Sequence, residues 1–214
     1  GRGMAAKEIN DIKLIQILKG FNKSYFTIFD LEKILNVKKD SLYVTLNRLV
    51  KSGVLIRLKR GVYQPEFKEP ELEKTAGELY YPSYLSFESA LSRYGILSQI
   101  PYALIFATTK KSKKLYLMDR EIEYRQLKKD YFFGYLLNNG ICIAEPEKAL
   151  LDLLYMISKG KASNDLSELS LVNLKKNKFI EYSKKFPKSV QKKARELTPM
   201  FGKYVATSDE KELF

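Results

Sequence analysis

The chain of 214 residues is long enough for one large or two small domains, and 45% hydrophobic residues with 15 Tyr and 12 Phe supply apolar surface for real cores, so a globular protein is expected. It has no His and a single Cys, which removes Ser/His/Asp and Cys/His catalysis, leaves no histidine metal ligand and excludes an ordinary structural zinc site, so neither metal nor cofactor is expected. A formal net charge of +13 exceeds what solubility requires and favours a polyanionic partner, without separating DNA from RNA or an anionic surface.

The distribution of charge narrows this. Residues 1–65 carry 13 Lys/Arg against 5 Asp/Glu, a net +8; residues 158–195 carry 11 against 3, again +8; the remainder balances at −3. Two basic surfaces are implied. No apolar run approaches the roughly 20 residues that span a bilayer, and no signal-peptide pattern is visible. Cys142 sits in the apolar run GICIA and reads as a core thiol in a reducing compartment, so a cytoplasmic protein with no membrane partner is expected.

In chain order, Gly1-Arg2-Gly3 ahead of Met4 read as a tag remnant. Ile9, Ile12, Ile15, Ile17 and Leu18 then predict an amphipathic helix closed by Gly20. Ile28, Leu31, Ile34 and Leu35 recur at helical spacing behind a Thr27 cap, with Asn36 as the stop. After a short turn through Val37 and Lys38 a second helix starts, capped by Asp40 or Ser41, with Leu42, Leu46, Leu49 and Val50 as its apolar stripe. The opposite face carries Ser41, Val44, Asn47, Arg48 and Lys51, flanked by Tyr43 and Thr45, which is how a recognition helix presents groups to phosphates and base edges. Val54–Lys59 reads as a strand, Arg60-Gly61 as a turn and Val62–Gln64 as the return, with Pro65 halting pairing. Arg57, Lys59 and Arg60 make this hairpin cationic, suited to straddling a phosphodiester backbone or entering a minor groove. Helix, turn, basic helix and basic hairpin in that order predict a winged helix-turn-helix over residues 4–67 that binds double-stranded DNA.

The charged stretch EFKEPELEKTAGE places a linker or connecting helix over 68–79 and a second domain over 80–214. In it, LSFESALSRYGI predicts a helix capped by Ser86, whose first amides Ser89 or Glu88 also satisfy, ending at Gly95. Tyr102–Thr109, Leu115–Met118, Glu121–Leu127 and Tyr131–Leu136 read as strands of an antiparallel meander. The KKSKK cluster, with Lys110, Lys111, Lys113 and Lys114, fits phosphate contact and a charged turn alike. Pro146 opens a buried helix through Ile157, with Lys148 and Asp152 expected as an i,i+4 pair on its exposed edge. Two or three further helices follow, their lysines coating one side. The fold class is therefore α+β: an N-terminal winged helix-turn-helix domain followed by an α/β C-terminal domain with an antiparallel sheet and several helices.

The motifs PSYLSFESAL-x-x-YGI (Pro82 to Ile96), FATTKK (Phe106 to Lys111), EYR (Glu123 to Arg125), FFGY (Phe132 to Tyr135) and IAEPEKALLDLLY (Ile143 to Tyr155), taken in this order behind the basic hairpin, resemble the AbiE-type antitoxins of bacterial type IV toxin–antitoxin systems. The resemblance implies a transcriptional autorepressor that binds inverted repeats in its own promoter, monomeric in solution or dimeric on DNA. It also implies a C-terminal domain that counteracts a nucleotidyltransferase-like toxin without a stable complex. On that likeness the DNA contacts fall on Lys38, Lys39, Arg48, Lys51, Arg57, Lys59 and Arg60, with support from C-terminal lysines.

Two other classes remain open at this level. Asp119, Glu121 and Glu123-Tyr124-Arg125 could hold Mg²⁺ as in a nuclease, although Arg stands where such sites carry Lys, and strand acids beside lysines equally form cross-strand ion pairs. Tyr80, Tyr81 and Tyr84 could line the pocket of a ligand-sensing regulator, or pack an interface.

Overall fold

The computed structural model of the protein describes residues 10–162 and 165–202; Ile9 and the last residues of the expected second domain lie outside them. The chain forms two compact units, the first running to Thr75 and including Tyr116–Asp119, the second comprising Ala76–Leu115 and Arg120 onward.

In the first unit three helices, α1 (Asp11–Lys19), α2 (Ile28–Leu35) and α3 (Lys39–Lys51), pack with a small sheet of β1 (Phe26–Thr27), β2 (Leu55–Lys59) and β3 (Val62–Pro65), ordered β1-β3-β2 and antiparallel throughout. Leu14, Leu18, Phe26, Leu31, Leu35, Leu42, Leu46 and Leu49 form the core with Leu55 and Tyr63. The seam of α1 is centred on Leu14 and the expected Leu18, with Ile15 packed beside them, whereas Ile12 stays 71% exposed. Thr27 caps α2 as expected and closes a capping box: its hydroxyl accepts the Asp30 amide at 3.2 Å while the Asp30 carboxylate accepts the Thr27 amide at 2.9 Å. Asn36 ends the helix in the left-handed region, where a short amide side chain is tolerated. The start of α3 differs from expectation. Lys38 is its N-cap and no side chain caps it, because a lysine side chain carries no acceptor; the Ser41 and Leu42 amides donate to the Lys38 carbonyl.

The chain continues with α4 (Leu72–Leu79), whose first turn belongs to the first unit, and then β4 (Ser83–Leu85), α5 (Phe87–Arg93), β5 (Leu104–Thr108), β6 (Lys113–Leu117), β7 (Arg120–Gln126), β8 (Tyr135–Asn138), β9 (Ile141–Ala144), α6 (Pro146–Ser158), α7 (Lys176–Ser183) and α8 (Lys188–Leu197), which with the exception of the end of β6 form the second unit. The six-stranded sheet is ordered β6-β7-β5-β4-β9-β8. It is mixed rather than the expected antiparallel meander: β4 runs parallel to β9 and β5 parallel to β7, while the β4–β5 and β8–β9 pairs are antiparallel. Burial explains the order. β7 carries the wholly buried Ile122 and Tyr124 and must lie inside, whereas β6 exposes Lys113 and Lys114 and suits an edge. By the same logic β4, buried at every position, is central and β8, exposed at every position, is the other edge. The Tyr131–Leu136 strand begins only at Tyr135, after a short 3₁₀ turn over Lys129–Tyr131.

Helix α6 corrects a second expectation. Lys148 and Asp152 are both 0% exposed, so the pair lies in the core and not on an outer edge; α5, α7 and α8 all pack against this helix. Ser86 stands at the N-cap of α5 without capping it, because its hydroxyl donates to Asp152 at 2.7 Å; Ser89 reaches β5 instead, accepting the Ile105 amide at 2.8 Å. Cys142 is half-buried rather than core, and burial pushes its thiol pKa up.

Candidate nucleic-acid interface

Between Lys38 and Arg60 the sequence holds seven cations and one acid, Asp40, a net +6. The first-unit fold presents most of them together. The stripe Leu42, Leu46 and Leu49 turns α3 against the core, which leaves Ser41, Tyr43, Asn47, Arg48 and Lys51 exposed, along with Lys38 and Lys39 at the helix start. Two apolar side chains share that surface: Val44 is 72% exposed and Tyr43 43%. Val44 stands on this face, and Tyr43 at its flank, as the helical spacing predicts.

Thr45 does not belong to this face. It is buried, and its hydroxyl donates to the Ser41 carbonyl at 3.1 Å, one turn back along the helix. The reason is angular: Thr45 flanks Leu42 and Leu49 on the wheel and is drawn into the seam with them. Arg48 is exposed but engaged, donating from Nη1 to the Asp11 carboxylate of α1 at 3.2 Å.

Ser52 and Gly53, the latter at φ +77°, turn the chain out of α3 and into β2, and Leu55 seats the hairpin in the same core as Leu49. The register is Leu55↔Pro65, Ile56↔Gln64 and Arg57↔Tyr63, then a bulge, then Lys59↔Val62. Leu58 is buried at the bulge while Arg57 and Arg60 are exposed and Lys59 is half-exposed. Gly61, at φ +82°, makes the tip possible, and its carbonyl accepts the Ile28 amide at 3.2 Å. The cationic tip is therefore fixed to the start of α2.

The remaining candidates are distributed differently. Glu123 accepts from Arg125 Nε at 3.1 Å, Arg125 Nη1 donates to Glu88 at 2.9 Å, and Glu121 lies 3.7 Å from Lys114, so these strand acids are held in ion pairs. No group of three or more His, Cys, Asp or Glu is placed to hold a metal among the described residues. The three tyrosines meet different surroundings: Tyr84 is wholly buried, Tyr81 is 74% exposed, and the Tyr80 hydroxyl donates to the Lys111 carbonyl at 2.8 Å. Among the described residues no helix is long and apolar enough to cross a membrane. Along α7 and α8 the lysines at 176, 184, 185, 188, 192 and 193 are exposed, whereas Lys178 is half-buried and donates to Glu145 at 2.5 Å.

Comparison with the curated proteins gives no match. Residues 16–65, a stretch that contains α2, α3 and the β2–β3 hairpin whole, match the family described as transcriptional regulator, AbiEi antitoxin.

Proposed function

We propose that this protein is a cytoplasmic, non-enzymatic type IV antitoxin whose first unit is a winged helix that represses transcription from its own promoter. Two copies occupy an inverted repeat, each placing α3 in a major groove and the β2–β3 hairpin against the adjoining backbone or minor groove. Lys38, Lys39, Lys51, Arg57, Lys59 and Arg60 meet phosphates; Ser41, Tyr43, Asn47 and Arg48 meet base edges or the backbone beside them. The second unit counteracts a co-encoded nucleotidyltransferase-like toxin without forming a stable complex.

One observation carries this reading. The segment that matches the regulator family is also the segment where a net +6 is concentrated on an outward helix face and a hairpin fixed beside it. A charged face that only solubilised the unit would need neither the exposed Val44 and Tyr43 nor a clamped cationic tip.

The test pairs two assays. Gel shifts with the DNA upstream of the gene should show sequence-specific retardation that alanine at Lys51, Lys59 and Arg60 abolishes. Co-expression of the neighbouring reading frame with the full chain should rescue growth, and the same triple variant should retain rescue. Retardation no stronger than that of unrelated duplex defeats the repressor reading; absence of a toxic neighbour, or failure of rescue, defeats the antitoxin reading.

A further inference from the structure

The turn between β5 and β6 carries Lys110, Lys111, Lys113 and Lys114, and four neighbouring cations would splay apart if nothing held them. This turn is fastened. The Tyr80 hydroxyl donates to the Lys111 carbonyl, and the ammonium groups of Lys110 and Lys113 sit 5.1 Å and 5.2 Å from the Tyr80 ring centre. The Lys110 amide donates to Thr108 Oγ1 at 3.2 Å, Ser112 Oγ accepts the Gln126 amide at 3.0 Å, and Gln126 Nε2 donates to the Thr109 carbonyl at 3.1 Å. A cluster that served only as a solvated turn needs no such fixing.

Beside it lies a cavity of about 280 Å³ whose cations converge from three segments: Lys113 and Lys114 of β6, Arg125 of β7, and Lys161 just after α6. Its acid, Glu123, is matched to Arg125, and Arg125 also meets Glu88, so that group is internally satisfied. Lys114 has a 3.7 Å contact with Glu121, and all three lysines are exposed. Gln126 is a wall of this cavity and equally of a second one, of about 760 Å³, lined by Pro82, Leu127, Lys128, Lys129 and Phe132. There Phe132 is half-exposed and held by Tyr84 and Tyr135, with ring centres 4.8 Å and 5.3 Å away. The two cavities thus meet at Gln126, one edged by three exposed lysines and the other by a held aromatic ring, a proline and two more lysines.

That combination selects its ligand. A duplex hides its base faces inside the stack and is too broad to enter a concave cavity, and a lone phosphate would leave the ring and proline of the second cavity without a partner. Single strands offer both phosphates for lysines and open base faces for rings. We propose that the two neighbouring cavities bind single-stranded nucleic acid, with phosphates on Lys113, Lys114 and Lys161 and an unstacked base against Phe132 and Pro82. This site is separate in residues and in ligand from the duplex surface of the first unit.

The experiment is fluorescence anisotropy of the full chain with labelled oligo(U) and oligo(dT) of about ten nucleotides, within the range that such sites cover. Three variants separate a built site from general attraction to a +13 protein. Lys113→Glu/Lys114→Glu/Lys161→Glu should weaken binding at least about tenfold, while Lys13→Glu/Lys19→Glu/Lys33→Glu, an equal change of charge on α1 and α2, should stay within about twofold. Phe132→Leu keeps an apolar side chain and the net charge but removes the ring, and should cost about fivefold at unchanged salt slope. The tighter of the two oligomers identifies the ligand as RNA or DNA. Equal losses in the two charge variants, or no effect of Phe132→Leu, overturn the proposal.

Discussion

Lys148 and Asp152 stand one turn apart on α6, both wholly buried, with the ammonium of one on the carboxylate of the other. Tyr84 closes the circuit: its hydroxyl accepts from Lys148 at 2.8 Å and donates to Asp152 at 2.9 Å, while Ser86 donates to the same carboxylate at 2.7 Å. The rings of Tyr84, Phe133 and Phe186 surround the ammonium at 4.7–5.4 Å. Burial pushes Lys148 down and Asp152 up, and the mutual ion pair opposes both shifts. The cluster ties β4, the start of α5 and α6 together, so its expected role is to fix how the second unit packs. Removing one partner leaves the other charge buried, so Lys148→Met or Asp152→Leu alone should cost about 3–5 kcal/mol in urea unfolding. The double variant should recover much of that loss, and a double variant as unstable as the two single losses added together would show that the pairing is not what matters.

Gly134, at φ +71°, lets the chain pass directly over this cluster. A Cβ there would come within 2.9 Å of Lys148 Cγ and 3.2 Å of the Tyr182 ring. Gly134→Ala combines a left-handed backbone with overpacking against a core side chain, so a loss on the order of 2–4 kcal/mol is expected. Gly95→Ala, also at positive φ but with open space around it, should show the smaller backbone part alone. Equal losses at the two positions would contradict the close approach.

Glu145 and Asp30 each contribute to the response to acid. Burial raises Glu145, but hydrogen bonds from Lys178 at 2.5 Å and Tyr182 at 2.6 Å outweigh it and leave the group below its ordinary value of 4.5. Asp30 behaves alike: burial raises it, and the Thr27 amide with Lys23 brings it below 3.8. Each unfolded carboxyl therefore takes up its proton at higher pH than the folded one does. The stability each contributes is fully present above its ordinary value and drains away as pH falls through the lower, folded one. Urea unfolding of Glu145→Gln should show a deficit at neutral pH that shrinks as the pH falls below 4.5. A deficit independent of pH would assign the loss to packing.

Asp11 holds Arg48 in an exposed ion pair at 3.2 Å, and DNA would compete for the same guanidinium. Exposed pairs contribute only about 0.2–1 kcal/mol, so Asp11→Ala should tighten duplex binding by up to about fivefold, chiefly by freeing Arg48 and removing a negative charge. In an Arg48→Ala background the gain should fall. A gain of the same size with and without Arg48 would mean that only the overall charge had acted.

What was legible in the sequence was what local rules determine. Thr27 and Asn36 mark the ends of α2 through local rules, and Leu42, Leu46 and Leu49 define the seam of α3 by spacing alone. Distant partners were not legible. The Arg48–Asp11 pair joins residues 37 apart, and the position of β7 between β5 and β6 depends on which strand can be buried on both sides. Lys148 and Asp152 read as a surface pair because an i,i+4 couple on a helix usually is one; only the helices packed around α6 reverse that inference. Ser86 departs from its expected capping role for the same reason, its hydroxyl being claimed by Asp152, 66 residues away.

The central claim is that α3 and the β2–β3 hairpin grip the phosphates of the protein's own promoter. Its most direct test is the salt dependence of binding to that duplex, for the full chain and for Lys51→Ala/Lys59→Ala/Arg60→Ala. Each lost phosphate contact should lower the slope of log affinity against log salt by about 0.9, so the triple variant should lose between two and three units. A slope and an affinity unchanged by the three substitutions would contradict the account.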